Sequence, residues 1–368
     1  MSTRKNKFSK KDKKFMNLAL HLANARHGLT GENPSVGCII VKKDEIISIG
    51  QTGYNGRPHA EYNAIKNSNV SLDGSTMYVT LEPCCHYGQT PPCTKEIIKN
   101  KINKIIYSVD DIDKKVRGKS FKILMLKNIN VKKGLLKKKI IEFYEPYFFN
   151  RNKKVPYVTG KIAISKNNLI FSKGTKRITN IHSDKLTHFL RYKNDSLMIS
   201  YKTLNEDNPK LNCRLEGLSK FSPKRIILDN NLEMNTNSYI FKTANKNNTI
   251  IFYKNAGISK ISIFKKKGIQ LIKSNLLKNQ YFDIKLILKK LYILGCRNLL
   301  VEGGNDLSRS IIKNKLFNQF YLFKSSKNLS KLVDYRSFNT LNELSKKYKK
   351  KKKINTLLGK DLITLYKK

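Results

Sequence analysis

Two short motifs in this chain have to meet in space if they work together. The first is Pro58-His-Ala-Glu61, and the second runs from Glu82-Pro-Cys84 to Pro91-Pro-Cys93. One imidazole and two thiolates form a ligand set that a catalytic zinc ion uses while it keeps its fourth position for water. Any fold of this chain must therefore bring one histidine and two cysteines to one point.

His59, Cys84 and Cys93 are the predicted zinc ligands, and Glu61 is the predicted catalytic residue. Zinc lowers the pKa of bound water toward neutrality. Because Glu61 follows the histidine by two residues, its carboxylate can pass a proton from water to a leaving amine without binding the metal. His-x-Glu with Pro-Cys-x-x-Cys marks zinc nucleobase deaminases. Here eight residues separate the two cysteines instead of two.

Other interpretations of these residues stay open. Cys85 competes with Cys84 as a ligand, although adjacent thiols rarely both reach one tetrahedral ion without strain. Alternatively, His59 is a hydrogen-bonded structural histidine and the thiols are buried apolar groups. Prolines precede Cys84 and Cys93, which predicts that both thiols stand at helix starts, where the helix dipole favours thiolate.

Short apolar runs alternate with amphipathic segments along the chain, which predicts an α/β fold. Because 368 residues exceed one typical domain, we expect a three-layer α/β sandwich over residues 1–150 and a second α/β domain over 151–368, after a linker at 151–156. Helices are predicted at 12–27, from His59, and at 94–100, 183–191, 283–294 and 307–312; strands are predicted at 36–41, 46–49, 77–81, 104–109, 157–164, 196–200, 225–228, 249–252 and 298–301.

Lys and Arg outnumber Asp and Glu by 74 to 26, a net charge of +48. The excess is spread along the chain, mostly as Lys among Asn and Ile, which is typical of amino-acid usage that has drifted toward A/T-rich codons. We therefore predict no nucleic-acid partner, with a true basic face as the alternative. The lysine run at 346–353 is predicted to be a solvated loop.

The cysteine content and the start of the chain bear on its location. Six cysteines are too few for a disulfide scaffold at this length, and three of them between positions 84 and 93 suit reduced thiols and a metal. The basic first seven residues lack the apolar core of a secretory signal. No run approaches the roughly 18 apolar residues of a membrane span. These features predict a cytoplasmic protein without a membrane partner.

Further motifs surround the zinc ligands: Asn33-Pro-Ser-Val-Gly-Cys38, Val109-Asp-Asp111 and Val116-Arg-Gly118. With the two opening motifs they resemble the bifunctional deaminase/reductase family of riboflavin biosynthesis. The resemblance implies a cytidine-deaminase-like fold that hydrolyses the amino group of 2,5-diamino-6-(5-phosphoribosylamino)pyrimidin-4(3H)-one, with Glu61 as proton shuttle. It also implies that Asn33 contacts the substrate; opening an Asn-Pro turn is the alternative role of this residue.

The second half carries Lys161-Ile-Ala163, Ile178-Thr179, Leu190-Arg191 and Val301-Glu-Gly-Gly304. These segments resemble the reductase domain of the same family, which implies a dihydrofolate-reductase-like fold, a homo-oligomer, and NADPH reducing ribosyl to ribityl to give 5-amino-6-(5-phosphoribitylamino)uracil. Carried over by position, the resemblance assigns substrate binding to Thr175, Arg191, Leu211, Arg214 and Glu302, and cofactor binding to Ala163, Arg177, Thr203, Asp207, Gly303 and Gly304.

Elementary chemistry agrees with part of this assignment. The Gly303-Gly304 turn, between a buried strand and a helix, can bring backbone N–H groups to a cofactor phosphate. Arg191 and Arg214 can offer a fixed fork of donors to a substrate phosphate, although either could equally be a solvated charge.

The chain departs from the family pattern mainly in this half. Ser165-Lys-Asn-Asn168 replaces Ser-Leu-Asp-Gly, Arg177 stands in place of an aromatic residue, and Ser200 in place of a glycine; residues 316–330 lack an expected acidic residue and a final glycine. These changes leave open a deaminase with a degraded reductase domain. A nucleic-acid base deaminase and a basic RNA-binding protein with a structural zinc are further alternatives.

Overall fold

The computed structural model describes residues 8–175, 177–278, 280–354 and 359–368. The first seven residues, from which the absence of a secretory signal is predicted, lie outside this part. The chain divides into two compact units, Met1–Lys154 and Val155–Lys368, so the division falls after residue 154 where 150 is predicted. Among the described residues, no helix combines the length and apolarity that crossing a membrane requires.

The first unit has one sheet within its described residues, with the strand order β2-β1-β3-β4-β5. Strand β1 is antiparallel to β2 and β3, whereas β3, β4 and β5 run parallel. In chain order the elements are α1 (Lys10–Arg26), β1 (Gly37–Lys42), β2 (Glu45–Gln51), a 3-10 turn (Tyr54–Gly56), α2 (Ala60–Lys66), β3 (Thr76–Leu81), α3 (Cys93–Lys99), β4 (Lys104–Val109), α4 (Lys119–Leu126), β5 (Asn130–Lys133), α5 (Lys137–Phe143) and α6 (Glu145–Lys153).

Two glycines let helices approach this sheet closely on opposite faces. A Cβ at Gly37 would lie 1.8 Å from the carbonyl oxygen of Ala19 in α1, and one at Gly50 would lie 2.1 Å from that of Ala60 in α2. Gly50 neighbours the residue that pairs with Gly37, and successive residues of a strand face opposite sides. Helices α1 and α2 therefore cover opposite faces, which confirms the three-layer arrangement.

The second unit has a larger sheet, whose described strands follow the order β11-β10-β9-β8-β12-β6-β13-β16-β15, and a two-stranded ribbon, β14-β7. Neighbouring strands from β11 to β13 are parallel. Its elements are β6 (Tyr157–Ile164), β7 (Leu169–Ser172), α7 (Ile181–Tyr192), β8 (Ser196–Ser200), α8 (Tyr201–Asp207), a 3-10 turn (Ser219–Phe221), β9 (Lys224–Leu228), α9 (Tyr239–Lys242), β10 (Thr249–Tyr253), α10 (Ile258–Lys266), β11 (Gln270–Lys273), α11 (Ile284–Ile293), β12 (Asn298–Val301), α12 (Asn305–Lys313), β13 (Gln319–Lys324), β14 (Tyr335–Ser337), α13 (Leu341–Lys347), β15 (Lys350–Ile354) and β16 (Leu362–Lys367).

The parallel part of this sheet is buried on both faces, and a separate apolar cluster packs on each side of it. Parallel strands need such coverage, so they consist of near-continuous apolar residues. Strands β8, β9 and β12 are neighbours that run in the same direction. Their carboxyl ends therefore lie at one edge of the sheet, which is where ligands of open α/β sheets bind.

Two predictions of local structure are wrong. The predicted linker begins inside a helix, because residues 151–153 complete α6. The lysine run at 346–353 is not a loop, because it ends α13 and then forms β15 at the edge of the large sheet. Pairing with β16 overrides the low strand propensity of lysine, and an edge strand leaves the ammonium groups in water.

Gly37→Ala should destabilise the first unit, because the added methyl group would force α1 away from the sheet. We expect the free energy of unfolding to fall by at least about 2 kcal/mol, measured by urea denaturation followed by circular dichroism. Gly88→Ala is the matched control, since a Cβ there meets its nearest neighbour, Arg57 Nη2, at 3.6 Å. Equal unfolding midpoints for the two variants would contradict the close approach of α1.

Candidate functional site

The three predicted zinc ligands come from three different places in the first unit. His59 immediately precedes α2, Cys93 begins α3, and Cys84 lies in the loop after β3. His59 Nδ1 is 3.5 Å from Cys84 Sγ and 3.4 Å from Cys93 Sγ, and the three ligand atoms lie within 4.8 Å of one another. Ligands at zinc bond lengths of ~2.0–2.3 Å would be roughly 3.5 Å apart around a tetrahedral ion. The donor set therefore fits zinc.

Asn33 and Gly56 fix the loop that delivers His59. The Asn33 side-chain amide donates to the Gly56 carbonyl oxygen at 3.1 Å. Gly56 has φ +89°, and a Cβ there would lie 2.6 Å from Asn33 Cβ, so the position requires glycine. Asn33 thus holds the segment before the histidine in place. Its contact with the substrate stays a prediction.

The prediction that Cys84 begins a helix is wrong, because residues 84–92 are non-helical and include Gly88, Pro91 and Pro92. Cys84 is instead held by the start of α3. The Cys93 N–H donates to Cys84 Sγ at 3.2 Å, and the Thr94 N–H donates to the Cys84 carbonyl oxygen at 3.1 Å. Hydrogen bonding by Cys93 and then by His59 lowers the pKa of Cys84, which favours its thiolate.

Cys85, the competing ligand, contacts a different partner. Its Sγ lies 3.5 Å from the Lys115 carbonyl oxygen. Within the described part of the chain it does not belong to the cluster of ligand atoms that His59, Cys84 and Cys93 form. The geometry therefore favours Cys84 over its neighbour.

Glu61 lies in the first turn of α2 and is only 4% exposed. Burial raises its pKa to about 7, although the nearby His59 opposes the shift. A carboxyl group with a pKa near neutrality can both accept and donate a proton at physiological pH. This is the property that a proton shuttle needs.

A buried chain of hydrogen bonds supports the strands beneath Glu61. The Gly37 N–H donates to Thr80 Oγ1 at 3.1 Å, the Thr80 hydroxyl pairs with that of Tyr144 at 2.7 Å, and Tyr144 donates to the Ser35 carbonyl oxygen at 3.0 Å. The sequence motifs gave no role to Thr80, which precedes the Glu82-Pro-Cys84 motif by two residues, and none to Tyr144. A buried tyrosine hydroxyl usually finds a hydrogen-bond partner, and this regularity is the one signal that could have pointed to such a bond.

The second unit has a cavity of about 870 Å³ at the carboxyl ends of β8, β9 and β12. Of the predicted cofactor residues, Thr203 and Gly304 line it, whereas Ala163, Arg177, Asp207 and Gly303 are not among its described lining residues. A Cβ at Gly303 would lie 2.9 Å from the Leu307 side chain, and one at Gly304 would lie 3.5 Å from Thr203 Oγ1. The glycines thus let α12 begin tight against the cleft, with its N–H groups available to an anion.

Three predicted substrate residues lie in a second cluster: Arg191, Arg214 and Glu302. Leu211, also predicted to bind substrate, is 2% exposed and belongs to the apolar core. Arg191 forms a bidentate pair with Glu302 at 2.7 and 2.8 Å and also donates to the Asn212 carbonyl oxygen at 3.1 Å. Burial alone would raise the pKa of Glu302, but the charge of Arg191 and its hydrogen bonds hold it below its ordinary value. Removing one partner of such a buried pair costs about 3–5 kcal/mol.

The exposed Arg214 lies beside this pair. Its side chain donates to Asn212 Oδ1 at 3.0 Å, and its backbone N–H donates to His188 Nδ1 at 3.2 Å. Burial, together with the charges of Arg191 and Arg214, lowers the pKa of His188 to about 4, so this imidazole is neutral. The side of the cluster that carries Arg214 therefore offers an exposed guanidinium to an anion, and the neutral histidine adds no charge of its own.

Lys161 is a functional candidate for which the sequence motifs predict no role. It lies in β6, next to the Gly160–Val301 pair that joins β6 to β12, so it neighbours Glu302 across the sheet. Burial lowers the pKa of Lys161, although Glu302 partly offsets this shift. A lysine inside an otherwise apolar strand is the sequence signal that could have identified it.

The two remaining predicted residues lie near β7. The Thr175 N–H donates to the Ser172 carbonyl oxygen at 3.0 Å in the turn after that strand. Arg177 Nε lies 2.9 Å from Asp184 Oδ2, and its side chain is 56% exposed. The ion pair places Arg177 at the first turn of α7.

Comparison with known proteins covers both units. Residues 9–109 match the family model for the cytidine and deoxycytidylate deaminase zinc-binding region, and residues 156–352 match that for the RibD C-terminal domain. The riboflavin biosynthesis protein RibD of Aquifex aeolicus (strain VF5) is 34% identical, over 97% of this chain and 98% of that protein. RibD of Actinobacillus pleuropneumoniae is 31% identical, over 96% and 95%.

A solved structure agrees with these sequence matches. The crystal structure of a diaminohydroxyphosphoribosylaminopyrimidine deaminase/5-amino-6-(5-phosphoribosylamino)uracil reductase from Thermotoga maritima is similar with a TM-score of 0.81 and 26% identity. The similarity covers 97% of this chain and 98% of that one.

Substitution of a ligand should remove zinc. Cys84→Ser should lower the zinc content from about one ion per chain to near zero after dialysis against a weak chelator, because a serine hydroxyl is a poor replacement for thiolate. The measurement is metal analysis by mass spectrometry on protein of known concentration. Cys85→Ser is the matched control and should keep its zinc. If this variant lost its zinc and Cys84→Ser kept it, Cys85 would be the ligand in place of Cys84.

Proposed function

The chain belongs to the RibD family of riboflavin biosynthesis proteins, and on this premise we propose which of its residues perform each of its two activities. The protein is a zinc-dependent pyrimidine deaminase and an NADPH-dependent reductase. It deaminates 2,5-diamino-6-(5-phosphoribosylamino)pyrimidin-4(3H)-one and reduces the ribosyl group to ribityl. The convergence of His59, Cys84 and Cys93 beside the buried Glu61 is the observation that carries the residue assignment.

In the deaminase unit, His59, Cys84 and Cys93 hold the metal and Glu61 moves the proton. Bound zinc supplies a Lewis acid that makes water a nucleophile at neutral pH. Glu61 accepts a proton from the attacking water and delivers it to the amino group, which leaves as ammonia while oxygen replaces it on the ring. Its raised pKa suits both transfers. Asn33 contacts the substrate from the loop that it braces.

In the reductase unit, the cleft with Thr203 and Gly304 holds the cofactor, and the Arg191–Glu302 cluster holds the substrate. NADPH supplies the hydride that reduces the first carbon of the ribosyl group. Three of the five N–H groups of Arg191 are already engaged, so it acts mainly by orienting Glu302. Arg214 is exposed and contacts the substrate phosphate, and Leu211 and Thr175 complete the predicted substrate contacts.

Lys161 has a place in this assignment because it is the half-buried cation next to Glu302. An ammonium group there donates hydrogen bonds to a substrate oxygen as the sugar ring opens. Ala163, on the same strand, together with Arg177, Asp207 and Gly303, completes the predicted cofactor contacts.

The surroundings of the enzyme are part of the proposal. We place it in the cytoplasm as a homo-oligomer, with a small phosphorylated pyrimidine as partner and neither nucleic acid nor membrane. The spread of lysine along the whole chain, including the edge strand β15, supports a charge excess that comes from composition.

Glu61→Gln should abolish ammonia release while zinc stays bound, because the amide keeps the shape of the side chain but cannot shuttle a proton. We expect a fall of at least about 10³-fold in the deaminase rate, within the usual range for general acid–base groups. Ammonia release and zinc content are measured on the same preparation. A variant that retains both its zinc and more than a tenth of the activity would remove Glu61 from the mechanism.

Lys161→Met should slow NADPH oxidation on the deaminated substrate by at least about 10²-fold, because it removes the positive charge beside Glu302 but keeps an unbranched chain. Ammonia release should be unchanged. Lys166→Met is the control, since Lys166 is an exposed lysine in the turn after β6. Equal NADPH oxidation by both variants would show that Lys161 has no role at the substrate.

A further inference from the structure

The cleft of the second unit has few charged groups, and they differ in whether they are paired. Its described lining residues include two cations, Lys202 and Arg336, and two carboxylates, Glu206 and Asp306. Arg336 Nη1 lies 2.6 Å from Glu206 Oε2, and the guanidinium stacks over the Phe171 ring at 4.5 Å. The charge of Arg336 is therefore compensated within the cleft wall.

Lys202 is not compensated in this way. Among the described residues, its ammonium group has no hydrogen bond and no carboxylate within 4.0 Å. The carboxylate whose pKa it helps to lower is that of Glu233, which also responds to Lys260 and is hydrogen-bonded first of all to Tyr201 and Asn231. Lys202 thus brings a largely free positive charge into the cleft.

The position of Lys202 along the cleft separates it from the glycine turn. It lies in the first turn of α8, directly after β8, whereas Gly304 follows β12, the neighbouring strand. Thr203 faces Gly304, since a Cβ on that glycine would lie 3.5 Å from Thr203 Oγ1. Lys202 instead influences Glu233, in the loop after β9 on the other side of β8. Adjacent strands are about 4.8 Å apart, so the start of α8 is displaced from the glycine turn by about one strand spacing.

These positions suit two phosphate groups on one ligand. The backbone N–H groups at the start of α12 can bind a diphosphate without a cation. A second phosphate on the same ligand needs donors of its own, and Lys202 is the cation among the described lining residues that has no carboxylate partner. NADPH carries such an additional phosphate on its adenosine ribose, and NADH does not.

We propose that Lys202 binds the 2′-phosphate of NADPH and is a residue by which the reductase distinguishes NADPH from NADH. The proposal rests on the proposed function, because it takes the cleft to be the cofactor site. Lysine suits this role as a compact point charge on a flexible stem, which a phosphate dianion can attract without fixed geometry.

Direct binding measurements test the proposal on the full chain. Dissociation constants for NADPH, NADH, 2′,5′-ADP and 5′-ADP are measured by isothermal titration calorimetry with wild-type protein, Lys202→Ser and Lys202→Arg. Lys202→Ser should weaken NADPH and 2′,5′-ADP about tenfold, the loss expected for one charge-assisted contact, and leave NADH and 5′-ADP within about twofold. Lys202→Arg should retain most of the affinity for the two 2′-phosphorylated ligands.

Lys260→Ser is the matched control, because Lys260 also acts on Glu233 but does not line the cleft. It should leave all four dissociation constants unchanged. Unchanged 5′-ADP binding by Lys202→Ser also verifies that the variant is folded.

Several outcomes would overturn the proposal. If Lys202→Ser weakened the binding of NADPH and NADH equally, the lysine would contact the diphosphate common to both. If NADPH binding were unchanged, Lys202 would be a solvated charge without a role in binding. The same loss in Lys260→Ser would show a general effect of positive charge instead of a contact. If the wild-type protein binds neither dinucleotide, the cofactor assignment of the cleft itself fails, whereas the first three outcomes leave that assignment intact.

Discussion

The deaminase unit depends on one constraint: a zinc ion needs three protein ligands at one point, and the chain supplies them from three separate elements. The start of α2 delivers His59, the loop after β3 delivers Cys84, and the start of α3 delivers Cys93. Glycines at the helix–sheet contacts bring α2 close to the sheet, and the first N–H groups of α3 hold Cys84. The same packing buries Glu61, and burial gives its carboxyl group a pKa that suits proton transfer.

In the reductase unit, charged groups are partly withdrawn from water and are stabilised by one another. The bidentate pair of Arg191 with Glu302 satisfies both charges, and Lys161 adds a second cation beside the carboxylate. The cleft proposed for the dinucleotide lies at the carboxyl ends of neighbouring parallel strands, where the sheet leaves room for a ligand. The two sites thus rest on two kinds of preorganisation, metal ligation in one unit and a buried ion pair in the other.

Much of the fold could be predicted because buried parallel strands are continuous apolar runs. Strands β4, β6, β8 and β12 have the bounds that the sequence predicts. The zinc ligands could be predicted because their chemistry is specific to a few residue types. The helix expected at Cys84 and the loop expected at 346–353 could not be corrected from local sequence, because tertiary contacts with α3 and with β16 decide those structures.

At Ser165-Lys-Asn-Asn168 the sequence departs from the family pattern, but the backbone still forms a turn. Asn168 adopts φ +64°, a left-handed conformation that asparagine tolerates better than most residues other than glycine. Asn167 Oδ1 accepts hydrogen bonds from the Ser165 hydroxyl and the Leu329 N–H, which are roles that a carboxylate could also fill. The turn before β7 is therefore intact, and this departure does not argue for a degraded reductase.

The most direct test of the account is a coupled assay of the wild-type protein. Purified enzyme is given the diaminopyrimidine ribosyl phosphate together with NADPH, and ammonia and NADPH are measured separately in the same reaction. The account predicts one ammonia released and one NADPH oxidised for each substrate consumed. Ammonia release without NADPH oxidation would contradict the reductase half, and the absence of both would contradict the whole account.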